Sequence, residues 1–133
     1  TDTNWSSDVV PGAAGTATFL GGAVQPVVNG NFSIGIVDLS SGTLTISSPN
    51  VLSVQNAFNI SNASVLGDGT LSLAGGSTLT ASGAAAVSID ALISGAGAVS
   101  ITGSDVTFNG ANSYTGATSI ANGGVLTIGN ATA

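Results

Sequence analysis

The amino-acid sequence predicts an all-β chain wound as a solenoid, and three observations carry that prediction. Apolar residues fall in short alternating runs, the pattern of strands that bury one face. Nearly every gap between runs holds Gly, Asn, Asp or Ser, the residues that turn a chain. Glu, Lys, Arg and Met, the unbranched helix formers, are missing altogether.

In chain order the runs are residues 16–20, 32–39, 43–47, 51–54, 58–61, 70–73, 78–81, 86–89, 98–102, 106–109, 117–120 and 125–128. The first, TATFL, follows the glycines at 12 and 15, and the second, FSIGIVDL, follows Asn29-Gly30-Asn31. TLTIS opens after Gly42, and VLSV and FNIS flank Gln55-Asn56-Ala57. TLSL follows Gly67-Asp68-Gly69, TLTA follows Gly75-Gly76-Ser77, and AVSI follows Gly83. AVSIT, VTFN, ATSI and VLTI complete the set, the last after Asn122-Gly123-Gly124. Strands this short, returning every seven to ten positions, do not fit an antiparallel sandwich, which favours longer strands and two-residue hairpins. They fit a coil that turns a few times per circuit.

Self-similarity supports the coil. GTLTIS at 42–47 returns as GTLSLA at 69–74, STLTAS at 77–82, GAVSIT at 97–102 and GVLTIG at 124–129. In a parallel β-helix no rung buries its apolar face alone, so rungs stack and inward Leu, Ile, Val and Ala form continuous ladders. At roughly 20 to 25 residues per rung, the chain makes about five or six. In the segment 116–130, Ile120, Leu126 and Ile128 are expected inside and Thr118 and Thr127 outside, with glycines and Asn122 supplying corners of positive φ.

Length bounds the architecture further. A chain of 133 residues supports one domain with a genuine core, here a single solenoid over 1–133 with 1–15 as an N-terminal cap or extension. No run of about 18 apolar residues occurs. The opening Thr1-Asp2-Thr3-Asn4 has neither the basic start nor the apolar run of a signal peptide.

The composition excludes much chemistry. There is no Lys, Arg, His or Cys, and the net charge is −6. Nucleic-acid affinity is built from cations that neutralise phosphates, and attraction to anionic lipid has the same source; neither partner is expected. A Ser-His-Asp triad, a Cys-His pair and a thiolate metal site lack their residues. The carboxylates are Asp2, Asp8, Asp38, Asp68, Asp90 and Asp105, dispersed along the chain. A calcium loop gathers several oxygen ligands within about a dozen residues, and the nearest approach here, Gly67-Asp68-Gly69, holds one. No catalytic, cofactor-binding or metal-ligating residue is assigned, and no enzyme is expected. The Asp residues read as turn residues. A glycosidase would need two of them brought together by folding, and a groove gathering Asp38, Asp68 and Asp90 would be its sign.

Residues 94–130, SGAGAVSITGSDVTFNGANSYTGATSIANGGVLTIGN, resemble the autotransporter-associated β-strand repeat, also called the passenger-associated transport repeat. In that family G-x-G and a strand lead to G-x-N-x-Y-x-G-x-T, a further strand, then G-x-L. The matching positions here are Gly95, Gly97, Gly110, Asn112, Tyr114, Gly116, Thr118, Gly124 and Leu126. Two departures stand out: Ile101 sits where the family often has Lys, and Ser104-Asp105 replaces a small-Gly pair. The opening Asn4-Trp5-Ser6, Pro11-Gly12 and TATF at 16–19 are similar to the start of many long surface proteins carrying these repeats. The resemblance implies a right-handed parallel β-helix, export and display at a bacterial surface, and no catalytic activity.

The expectation from the sequence is a non-catalytic extracellular structural or adhesive protein. It is either a self-associating filament subunit or a segment of a surface-displayed passenger, with cell-surface or glycan partners. Self-association is expected end to end through the terminal strands, 1–10 or 129–133. Trp5 is expected to cap the first rung and Tyr114 to pack over a corner. The alternatives are a solenoid that binds ice or glycan through Thr-x-Thr arrays, and a polysaccharide-active enzyme on the same fold. An ice-binding face needs its Thr pairs in one file, and the pairs 16/18, 43/45 and 78/80 recur irregularly. Five Asn-x-Ser/Thr sequons, at Asn4, Asn31, Asn59, Asn62 and Asn130, match the glycosylation pattern and read as a product of composition. With no Lys or Arg there is no tryptic site, so persistence among proteases is expected.

Overall fold

The computed structural model describes residues 11–21 and 25–130, and these form an all-β parallel solenoid of about six rungs. Expectations placed on Trp5, Asp2, Asp8 and the segments 1–10 and 131–133 lie outside the described residues.

Each rung has three short sides, so three faces run along the solenoid. The first face stacks β1 (Thr16–Phe19), the second half of β3 (Phe32–Leu39), the second half of β5 (Val51–Ser61), β8 (Thr78–Ser82), β11 (Ala98–Thr102) and β13 (Thr118–Ala121). The second face stacks β2 (Val27–Val28), β4 (Gly42–Ile46), β6 (Ala63–Leu66), β9 (Val87–Ile89), β12 (Asp105–Phe108) and β14 (Val125–Ile128). The third comprises the first halves of β3 and β5, then β7 (Thr70–Leu73) and β10 (Leu92–Gly95). Every pairing is parallel. Parallel neighbours cannot be joined by a hairpin; in a solenoid the rest of the rung makes the connection.

Alternation puts every second side chain inside, and stacking turns those residues into ladders. On the first face Ala17, Val37, Phe58, Leu79 and Val99 are consecutive partners. Leu44, Val65, Ile89 and Phe108 follow one another on the second, and Leu52, Leu71 and Ile93 on the third. All are buried in one continuous core. The buried polar side chains among the described residues are Ser77 and Ser104, whose hydroxyls donate to Ala74 O (2.8 Å) and Ala85 O (3.5 Å). Burying them therefore leaves no donor unmet.

The corners rest on backbone that tolerates positive φ. Asn62 (φ 51°) turns β5 into β6 in a single residue, and Asn122 (φ 54°) with Gly123 (φ 77°) turns β13 toward β14. Asn122 thus takes the corner conformation the sequence assigns to it. Gly67 (φ 97°) needs glycine twice over, because a Cβ there would also strike the Ile46 carbonyl.

Three strands escape the sequence reading: β2, β6 and β10. β6 follows β5 after one residue, so no gap announces it, and β2 is a two-residue bridge after Pro26. The two runs 51–54 and 58–61 are one strand, β5, which bends from the third face to the first.

The last rung corrects another expectation. Ile120 and Ile128 continue the inward ladders of Ile101 and Phe108, but they are 49% and 50% exposed, and Leu126 is only partly covered. Thr118 pairs with the inward Val99, so it occupies a core position and is exposed, rather than pointing outward by register. No described rung follows to cover these side chains.

Candidate functional site

The outer surface is built by the same alternation that builds the core. Residues between the inward positions form files, one residue per rung, about 4.8 Å apart along the axis. The first face carries Asp38, Asn59, Thr80, Ser100 and Ser119 in one file. The second carries Thr43, Ser64, Ser88, Thr107 and Thr127. The third carries Ser33, Ser53, Ser72 and Ser94. Hydroxyls and amides dominate all three, so stacked identical groups bring no like-charge ladder.

The Thr-x-Thr pairs form no continuous file. Thr43/Thr45 lie on β4 of the second face and Thr78/Thr80 on β8 of the first. Thr16/Thr18 lie on the first face too, but Ile36/Asp38 and then Ala57/Asn59 stand between them and Thr78/Thr80.

Three of the described carboxylates serve local structure. Asp38 accepts from Asn59 Nδ2 at 2.6 Å, on the outer surface rather than in a turn. Asp68 accepts from the Ser48 backbone N–H at 2.9 Å, reaching back to the preceding rung. Asp90 accepts from Ser88 Oγ at 3.0 Å and from Asn109 Nδ2 at 2.8 Å, reaching forward to the next. Asp105 is exposed at the start of β12. Asp38, Asp68 and Asp90 do not meet in one groove, and the described residues hold no group of three metal-ligating side chains. A shallow groove of about 190 Å³ runs beside Asp38, with Asn59, Ser61 and Ser82 on its walls. Pockets that enclose a small ligand have volumes of roughly 300 to 1,000 Å³.

Three of the sequon asparagines are similarly occupied. Asn31 Oδ1 accepts from Val51 N and Asn62 Oδ1 from Ala85 N, so each side chain extends the hydrogen-bond ladder past a corner. Asn59 is the donor to Asp38.

The positions that resemble the autotransporter repeat close the final turns. A Cβ on Gly116 would collide with the Gly97 carbonyl, and one on Gly110 would lie 2.5 Å from the Ala91 carbonyl. Gly95 (φ 95°) lies against the Leu73 carbonyl, leaving no room for a side chain. Asn112 Oδ1 accepts from Ile93 N at 2.8 Å, standing in for a strand carbonyl, while its Nδ2 is buried without a partner. Tyr114 packs over the corner as expected: it is edge-on to Phe108 and its hydroxyl lies 2.8 Å from Thr118 Oγ1.

No described helix is long and apolar enough to cross a membrane. No protein-family model matches the chain, and no curated protein and no solved structure matches it.

Proposed function

We propose that this chain is a non-catalytic structural or adhesive element of the bacterial exterior, either a self-associating subunit or a segment of a longer surface-displayed passenger. The observation that carries the reading is the outer surface: three faces of regularly spaced hydroxyls and amides, with the carboxylates of Asp38, Asp68 and Asp90 each bound to a structural partner. Such a surface offers many weak, repeated hydrogen-bonding positions and no focused reactive group. That suits multivalent contact with a repeating polymer, where each added contact raises avidity. The resemblance of residues 94–130 to a passenger repeat agrees with this reading.

Glycan is the partner class that the hydroxyl files favour, since a polysaccharide also repeats its hydrogen-bonding groups along one axis. Ice is less favoured, because one Thr-x-Thr pair lies on the second face and the two on the first are separated by Ile36/Asp38 and Ala57/Asn59.

Two measurements on one preparation test the proposal. Negative-stain electron microscopy over a concentration series should show rods, alone or joined. Incubation with a polysaccharide panel should give retention on at least one polymer without release of reducing ends. Release of reducing ends that follows the purified protein would overturn the non-catalytic reading, and failure to bind any polymer would remove the glycan partner.

A further inference from the structure

The groove beside Asp38 is made by alternation on the first face. Asp38 on β3 and Asn59 on β5 are register partners, and their side chains form one wall. Two residues further along the strands, Ser40, Ser61 and Ser82 form the opposite wall, with Ser61 and Ser82 paired in register. Between the walls the side chains of Leu39 and Ile60 turn inward and are buried, so the floor is strand backbone. Alternate residues of a strand stand roughly 7 Å apart and rungs about 4.8 Å apart; the result is a short, shallow channel along the solenoid axis.

Its polar groups are only partly used. Asp38 Oδ1 accepts from Asn59 Nδ2, and Ser40 Oγ donates back to Phe19 O at 3.3 Å. Asp38 Oδ2, Asn59 Oδ1 and the hydroxyls of Ser61 and Ser82 have no hydrogen-bond partner among the described residues. Among the described carboxylates Asp38 alone lies in the interior of a strand, where pairing to β1 on one side and β5 on the other fixes its backbone.

These groups select a class of ligand. An ionised carboxylate only accepts, so its partner must donate, and the chain has no side-chain cation with which to balance an anionic polymer. Hydrogen bonds from a hydroxyl to a carboxylate are roughly twice as strong as those between neutral groups. No aromatic ring lines the groove, so a sugar is gripped by its edge rather than stacked on a face. The groove is smaller than the roughly 300 to 1,000 Å³ of pockets that enclose a ligand, and the rest of a polymer stays outside it. We propose that this groove is a saccharide subsite. It takes one residue of a neutral polysaccharide, whose neighbouring hydroxyls donate to Asp38 Oδ2 and Asn59 Oδ1 and accept from Ser61 and Ser82. The inference rests on the glycan-binding reading above and assigns that binding to one place on the first face.

The test is titration of the isotope-labelled chain with amylose, dextran, mannan and xylan, and with polygalacturonate as the charged counterpart, followed by amide chemical shifts. At least one neutral polymer should shift the amides of Ser40, Asn59, Ser61 and Ser82 before those of the other faces. Asp38→Asn and Ser61→Val should each weaken that binding at least fivefold with the far-ultraviolet circular dichroism unchanged. Thr107→Val, which removes an outward hydroxyl from the second face, should leave it unaltered. Shifts centred on another face, or affinity unchanged in both groove variants, overturn the subsite while the glycan reading stands. Tighter binding of polygalacturonate than of any neutral polymer overturns the subsite as well. Absence of shifts with every polymer removes both. Should a groove variant fail to fold, the shift map of the unmodified chain decides.

Discussion

Tyr114 stands edge-on to Phe108, with ring centroids 6.3 Å apart and planes at 88°. Phe108 is a fully buried member of the second-face ladder, so the chain's one tyrosine ties the loop after β12 to the end of the core. Edge-to-face pairs of this kind contribute about 0.5–1.5 kcal/mol beyond their buried area. Tyr114→Phe keeps the ring and loses only the exposed hydroxyl contact with Thr118; a loss of about 0.5 kcal/mol is expected. Tyr114→Ala should cost about 2 kcal/mol or more. Urea unfolding of the two variants checks the ordering, and equal losses would show that the hydroxyl rather than the ring holds the loop.

Ile101 and Ile120 are register partners on the same ladder, one rung apart, and differ in what covers them. Ile101 is fully buried. Ile101→Ala is expected to destabilise by about 2–5 kcal/mol. Ile120→Ala, at dilutions where the chain is monomeric, should cost under about 1 kcal/mol because half of the side chain is already in water. Denaturant midpoints measure the difference, and comparable losses at both sites would mean that Ile120 is covered in solution.

Gly116 and Gly76 need glycine for different reasons. Gly116 lies against the backbone of Gly97, which cannot swing aside as a side chain would, so Gly116→Ala must separate two rungs. Gly76 has φ 87° and open space around it. The expected cost of Gly76→Ala is about 1 kcal/mol, from backbone strain alone. Gly116→Ala should exceed that by about 1–2 kcal/mol and should raise amide exchange in Ala98 and Val99, its neighbours across the contact. Hydrogen exchange read residue by residue distinguishes the two outcomes.

Sodium chloride should stabilise this protein between about 10 and 150 mM. The chain has no side-chain cation, so salt breaks no side-chain ion pair and screens only the mutual repulsion of six carboxylates. A rise in thermal midpoint of a degree or two is expected, and a fall would point to an attractive charge interaction that the sequence does not supply.

The architecture was legible because its causes are local. Alternation marks a half-buried strand wherever it occurs, and the Gly and Asn corners repeat closely enough to read as rungs. What escaped depends on neighbours in space. Ser64 pairs with Ser88, 24 positions on, whereas Val27 pairs with Thr45, 18 positions on. A rung of variable length hides which residues share a file, so the hydroxyl files and the separation of the Thr pairs appear only in three dimensions. Ile120 shows the same limit. Its alternation assigns it inward, correctly, but its exposure depends on whether another rung lies above it. Asp38 reads as a turn residue by type, yet it is held outward on a strand by Asn59, a partner 21 positions away in sequence.

The parallel stacking has a mechanical consequence. Ladder hydrogen bonds run along the solenoid axis, so tension applied between the two ends loads the rungs in series. A rung at an open end is held by one neighbour and yields before those inside. Each rung that peels away releases a chain length of roughly 70 Å, some fifteen times its own thickness of about 4.8 Å. Pulled lengthwise, the solenoid would pay out slack in successive steps and limit the peak force reaching whatever is attached to it.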